Sequence, residues 1–453
     1  MMLKYIGPFL RINKLKKETI RSQLFYLSKE SLKHIVLYSG CGIKTSVKEL
    51  KIKNIPSSDI NIFSSVSPLL CIYKKASPKL ETMGYSSGWN IDKFKKEINI
   101  DSNALMTLSL LELSSYYDRF KDTDLKKFFI GETYKVLCKK QLEFYASYFR
   151  NEEGVFVDKI DASDFESDNF IFNEKNKKFK YSSQALIMAA FYKCSCTLEN
   201  KERESYKNFS LEILKMLLQY REELYKVSFD ELSKLCLGLN IFYKYSKNED
   251  CKILLLDICE LLNEQSLNDT NYCMTYINSM LFYKSSGIIL FKEICDSIFS
   301  KLIELYDSEK GIFIWDNENK EIEYESSDIV LYLLCLLMGD CTNDILTMDI
   351  FKRQLVDSGI ILSWPEAPDI SDMERYRNFS LKTEDLLDDQ DFRMPSVPSP
   401  DSSEFAPVFT KNITYNRKKE IFIQPKPSFD SYKNMLIFFL ILIICNSEDI
   451  GSV

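Results

Sequence analysis

Between about residues 100 and 446, apolar positions recur at spacings of three and four with little Gly or Pro between them, which predicts a succession of helices. Two kinds alternate. Strongly apolar stretches start near Ser102, Ser182, Ser228, Asp269, Ser326 and Ser428, each with a Ser, Thr, Asp or Asn that can satisfy the free amides of a helix start. More polar helical stretches lie between them, over 124–148, 203–224, 250–263, 289–306 and 343–355. Buried helices therefore alternate with exposed ones. Upstream, Ile20, Leu24, Leu27, Leu32, Ile35 and Val36 mark one more amphipathic helix, stopped by Gly40-Cys41-Gly42.

A repeat punctuates this pattern. Tyr148-Phe149 leads through Glu152-Glu153 to Gly154-Val155-Phe156-Val157-Asp158, and a helix restarts at Tyr181-Ser182-Ser183. Tyr306-Asp307 leads in the same way to Gly311-Ile312-Phe313-Ile314-Trp315-Asp316, with a restart at Ser326-Ser327-Asp328. The Gly and Phe read as the turn and anchor between an outer and an inner helix.

Trp364 to Pro427 breaks the helical period. It holds eight of the chain's twelve prolines, and 366–391 carries nine acidic against three basic residues, so neither helix nor core strand is expected there. It reads as a long irregular insertion, a lid or docking segment on one view and a plain insertion on the other. The run Met435 to Cys445 is wholly apolar, but as a helix it spans only about 16 Å against the roughly 30 Å of a bilayer core. A buried core helix is expected, and no membrane span.

Six apolar helices alternating with polar partners, joined by the Gly-aliphatic-Phe turn, resemble the (α/α)6 toroid of the six-hairpin glycosidases over residues 100 to 446. The resemblance implies an all-α toroid of helical hairpins. Residues 100–453 would form it, 364–427 would be its insertion, and 1–99 would be a small segment packing on the toroid or closing it. Many glycoside hydrolases, polysaccharide lyases and sugar epimerases share this architecture, as do some proteins with no catalytic role. A saccharide ligand is implied, bound at a mouth lined by the first turns of the inner helices.

Composition narrows the chemistry. With 59 Lys plus Arg against 66 Asp plus Glu, the net charge of −7 offers no bulk attraction to nucleic acid. Thirteen cysteines, an odd number scattered over apolar helical faces, fit a reducing cytoplasm. The amino terminus lacks the apolar core of a secretory signal, and the high Lys, Ile and Asn content matches an AT-rich bacterium. The expected location is cytoplasmic. His34 is the only histidine, so Ser-His-Asp catalysis, histidine-based epimerisation and ordinary zinc chemistry all lose their base or ligand. No phosphate loop, metal motif or other cofactor signature is present.

Carboxylates remain. Hydrolysis of a glycosidic bond needs two of them, one kept protonated. Asp158 and Asp316, equivalent positions of the repeat, and Asp328 are the catalytic candidates, with Trp315, Trp364 and Trp89 as stacking platforms for a sugar. Asp230, Asp328 and Asp430 at helix starts are equally explained as caps. Asp158 and Asp316 lie farther from the next helix. The acidic run Asp158, Asp161, Asp164, Glu166, Asp168 reads as a solvated loop, since its spacing is not that of a calcium loop. Two function classes stay open: a carbohydrate-active protein, hydrolytic if an enzyme, and a non-catalytic scaffold that docks a protein partner through its Pro-rich acidic stretch.

Overall fold

The computed structural model describes residues 17–50, 66–83, 86–163, 169–176, 178–265, 272–314, 319–339, 344–365, 404–423 and 426–446. Within them, helices alternate along the chain as the periodicity predicts. The apolar ones are α2 (Ile100–Tyr117), α4 (Tyr181–Ser195), α6 (Phe229–Ser246), α8 (Tyr272–Ser286), α10 (Ser326–Met338) and α12 (Ser431–Cys445). The more polar ones are α1 (Lys17–Tyr38), α3 (Leu125–Tyr148), α5 (Asn200–Gln219), α7 (Glu249–Gln265), α9 (Ile289–Glu304) and α11 (Asp344–Ile350).

The apolar helices close a ring. Each packs on the next, α2 on α4, α4 on α6, α6 on α8, α8 on α10, α10 on α12, and α12 back on α2. The other six wrap the outside, and α1 packs against both α12 and α11 to supply the last outer position. Residues from Ile20 to Cys445 share one continuous core, so the amino-terminal segment and the helical region form a single body. The run Met435–Cys445 is buried inside the ring as part of α12, and among the described residues no helix is long and apolar enough to cross a membrane.

Local chemistry explains the helix starts. Ser228 accepts from Glu231 N at 3.4 Å and Asp430 from Lys433 N at 3.2 Å, each at the N-cap. The repeat turns serve as anchors. Gly154 and Gly311 have φ of +84° and +68°, the left-handed region that favours glycine. The adjoining Phe156 and Phe313 are buried, Phe156 clamped at both backbone groups by Gln184 (3.0 and 2.8 Å) and Phe313 stacked on Tyr332 at 3.6 Å.

Short strands frame the loops that lead into the inner helices. β1 (Glu97–Ile98), β2 (Lys159–Asp161) and β3 (Phe172–Glu174) form one antiparallel sheet, and β4 (Glu321–Glu325), β5 (Asn412–Asn416) and β6 (Ile421–Ile423) another. The second sheet corrects the expectation that 364–427 holds no core strand. Ile413 and Tyr415 point inward while their neighbours are half-exposed, a period-two pattern that the prolines flank without entering. Val408 and Phe409 are also fully buried. The acidic stretch 366–403, on which the docking reading rests, lies outside the described residues.

Gly238 sets the spacing of α4 and α6. A Cβ there would come within 2.8 Å of both Ala185 C and Ala185 Cβ. Gly238→Ala gains about 1 kcal/mol in helix propensity but forces two inner helices apart, at about 1–3 kcal/mol. A net loss of roughly 1 kcal/mol is expected in urea unfolding, and adding Ala185→Gly should not recover it, because Ala185 C and Leu186 N, at 2.8 and 2.9 Å, are backbone atoms that stay in the way. Stabilisation of the single variant would show that the helices can separate freely.

Candidate active site at the amino-terminal mouth

The inner helices start at one end of the ring, and their first turns are joined by polar contacts. Ser183 of α4 donates to Asp101 of α2, Ser431 and Ser102 lie 3.1 Å apart across α12 and α2, and Tyr181 N donates to Glu231 of α6 at 2.9 Å. Lys433 of α12 pairs with Glu325 before α10.

Asp101 is 1% exposed, and burial raises its pKa against the opposing pull of Lys180, Lys234 and the Ser183 hydroxyl. Asp158 accepts from Ile100 N at 2.9 Å and from Asn99 Nδ2 at 3.3 Å, and its partner cation is Lys180 at 3.8 Å. Far from standing clear of any helix start, Asp158 caps α2 alongside the N-cap Asn99. The position after the repeat Phe is thus used structurally in this copy.

On the other side, Glu325 and Asp328 form a reciprocal capping box at the start of α10, with Glu325 N donating to Asp328 at 2.9 Å. Burial nevertheless pushes the Asp328 carboxyl up to about 6, aided by the negative charge of Glu325 and opposed by its backbone hydrogen bond and Lys433. Capping and a perturbed acidity coexist in one residue.

Tyr432 stands between the two groups. Burial raises its phenol, and Asp101, Asp230, Asp430 and Glu325 add to the shift. Lys234 lies 4.4 Å from the centre of its ring and pairs with Asp230 at 2.6 Å. The mouth therefore presents carboxyl groups of differing acidity, three lysines and a phenol. Lys180, Ser183, Lys234, Tyr432 and Lys433 are absent from the carboxylate-and-Trp candidates; their signal is their place just before or within the first two turns of an inner helix.

The tryptophans take other places. Trp89 is 1% exposed, donates its indole N–H to His34 Nε2 at 3.0 Å and packs edge-on against Phe429, so both faces are committed to the interior and it offers none to a sugar. Its partner His34 is held by burial at about 4, a neutral acceptor. Trp364 is likewise buried in the core. Trp315 and Asp316, the second repeat copy's candidates, lie outside the described residues. In the acidic loop, Asp161 accepts from Tyr73 OH and from Ser163 N, while 164–168 are outside the described residues. Among the described residues no group of three or more His, Cys, Asp or Glu is placed to hold a metal.

No protein-family model matches the chain, and no curated protein matches it in sequence. Solved structures do. Cellobiose 2-epimerase from Bacillus thermoamylovorans superposes with a TM-score of 0.50 at 10% identity, over 82% of this chain and 92% of that one. The chain has the (α/α)6 toroid fold. An α-1,6-mannanase of Salegentibacter, solved with α-1,6-mannotriose, covers 94% of the chain and 99% of its own at 8% identity and a TM-score of 0.44. An endoglucanase from the termite Nasutitermes takasagoensis covers 94% and 98% at 9% identity and a TM-score of 0.46. At such identities the likeness speaks for the fold and leaves the residues at the mouth to be read on their own chemistry.

Proposed function

We propose that this protein is carbohydrate-active, holding a saccharide at the amino-terminal mouth and cleaving a glycosidic bond there. The observation that carries the reading is Asp328, a carboxyl that burial holds at about 6 on the rim of the ring. Such a group is protonated often enough near neutrality to give its proton to a leaving oxygen, the general-acid role. Asp158, charge-paired with Lys180 and bound by two N–H donors, supplies the carboxylate of the pair. Lys234 and Tyr432 contribute donors for sugar hydroxyls.

The proposal includes a reducing cytoplasm. All twelve described cysteines are free and eleven of them are buried, with Cys236 and Cys259 unbonded at an Sγ separation of 3.3 Å. The test is a thermal-shift screen against manno- and cello-oligosaccharides and their reduced forms. A ligand at a hundred times its Kd adds about 2.7 kcal/mol to apparent stability. A rise in Tm with at least one saccharide, lost on Lys234→Ala, is the expected result; no shift from any saccharide at millimolar concentration sinks the reading.

A further inference from the structure

Beside the mouth, the antiparallel sheet of β1, β2 and β3 turns one face outward. Glu97 of β1 pairs with Ile160 of β2, and Ile160 with Asn173 of β3, so these three share that face, which Lys95, Ile171 and Lys175 extend at alternate positions. A bridge from Lys95 to Lys75 carries it one strand further. At the mouth it ends on Asp158, whose carbonyl accepts from Lys175 N at 2.9 Å. Lys75, Lys95, Ile160 and Ile171 are exposed.

Charge on this face is lopsided. Lys95 pairs with Glu97 at 2.8 Å and Lys74 at 3.7 Å, and Lys175 donates to the same carboxylate. Three ammonium groups thus share one carboxylate. Lys75 adds a fourth directly opposite Lys95, and like charges in facing positions weaken a sheet unless something offsets them. The nearby carboxylates are engaged elsewhere. Asp158 caps α2 and pairs with Lys180, while Asp430, which pairs with Lys75 on its other edge, is buried and accepts from Lys433 N.

The crowding is visible in how the cluster titrates. Burial lowers the pKa of Lys74, and the charge of Lys175 lowers it further against the pull of Glu97, with Lys75 adding to the effect. Burial opposes the charge of Glu97, yet Lys175 and Lys95 hold it at about 2. A carboxylate that is fully ionised at neutral pH still leaves the lysines around it repelling one another.

We propose that this face is a subsite of the mouth for an acidic saccharide. The carboxylate or sulfate of the sugar sits among Lys75, Lys95 and Lys175, and the apolar face of a ring lies on Ile160. The inference rests on the saccharide reading given above and narrows its substrate class. Position favours a saccharide over other polyanions, because the face leads directly to Asp158, and the net charge of −7 disfavours a nucleic acid.

Calorimetry on the full chain compares cellotetraose and mannotetraose with the same oligosaccharides oxidised at C6 to uronates. The uronate form is expected to bind about tenfold more tightly at low salt, an advantage lost at about 0.5 M salt. An arm with the 6-sulfated forms tells a sulfate from a carboxylate as the group recognised. In Lys75→Gln/Lys95→Gln the advantage should vanish. Both side chains are exposed and Glu97 keeps Lys74 and Lys175, so the variant's ligand-free Tm should match the parent's. Glu97→Gln, which removes the shared carboxylate, should instead widen the advantage about threefold. Equal affinity for neutral and acidic forms, or an advantage that survives in the double variant, overturns the proposal and leaves the saccharide reading standing. So does equally tight, lysine-dependent binding of a single-stranded oligonucleotide or of phosphatidylserine vesicles, which would make the face a bare cationic patch. No binding of any of these sugars overturns both.

Discussion

Replacing Asp328 with Asn is expected to lower turnover of a cleaved saccharide by about 10²–10⁴-fold, the usual contribution of a positioned general acid, while raising stability at neutral pH. The two effects have one cause. In the folded chain burial lifts this carboxyl from an ordinary value of 3.8 to about 6, so the fold prefers its protonated form. The raised value sets the sign: that preference stabilises fully below about pH 3.8 and is lost as the pH rises through about 6. Above that range the ionised, poorly hydrated carboxylate costs up to about 3 kcal/mol, a gap of roughly two units at 1.36 kcal/mol each.

Asparagine does not titrate, and its amide oxygen can still accept from Glu325 N, so the cap of α10 is retained. Urea unfolding of variant and parent should therefore nearly coincide below about pH 4 and diverge in the variant's favour above about pH 7. Lost turnover with no pH-dependent gain in stability would mean that Asp328 acts only through the helix start. A stability gain with turnover intact would remove it from the chemistry.

The ring itself is legible in the sequence because its signals are local. Helical periodicity separates inner from outer faces, and caps such as Ser228 and Asp430 act within three residues of themselves. The apolar run of α12 is too short for a bilayer and too apolar for a surface, which leaves the inside of the ring. The mouth is harder to read because its contacts are distant in sequence. Asp158 meets the amide of Ile100, and Asp101 meets Ser183, through packing that no local pattern encodes.

Trp89 illustrates the same difficulty. Next to Gly88 it has the surroundings of an exposed turn, yet its strand pairs with Leu80–Met83 and the indole is turned toward His34 and Phe429. The hairpin of β5 and β6 is obscured for another reason. Proline content averaged over 364–427 hides a run from Val408 to Ile423 that contains no proline and alternates as a strand should.

The second large effect concerns the ion pair at the far end of the ring. Removing the Lys193 side chain charge, as Lys193→Met, is expected to destabilise the protein by about 3–5 kcal/mol near pH 8. Glu112 and Lys193 are 8% and 3% exposed, and Tyr245 completes the group by accepting from Lys193 at 2.7 Å and donating to Glu112 at 2.6 Å. Three consecutive inner helices, α2, α4 and α6, are tied together at this point. Burial opposes the charge on Glu112, but Lys193, Lys244 and the Tyr245 hydroxyl outweigh it and hold the carboxyl below its ordinary value. Without Lys193 that balance reverses, because Lys244 is exposed and its field is screened by water.

The carboxyl should then titrate above its unfolded value of about 4.5, so the variant should recover stability as the pH falls toward 5. Pairing the change with Glu112→Leu removes the stranded charge. The double variant should regain most of the loss, since a buried ion pair is worth little more than a well-packed apolar one. A single variant no less stable than the parent at pH 8, or a double variant as unstable as the single, would show that the pair does not hold these three helices together.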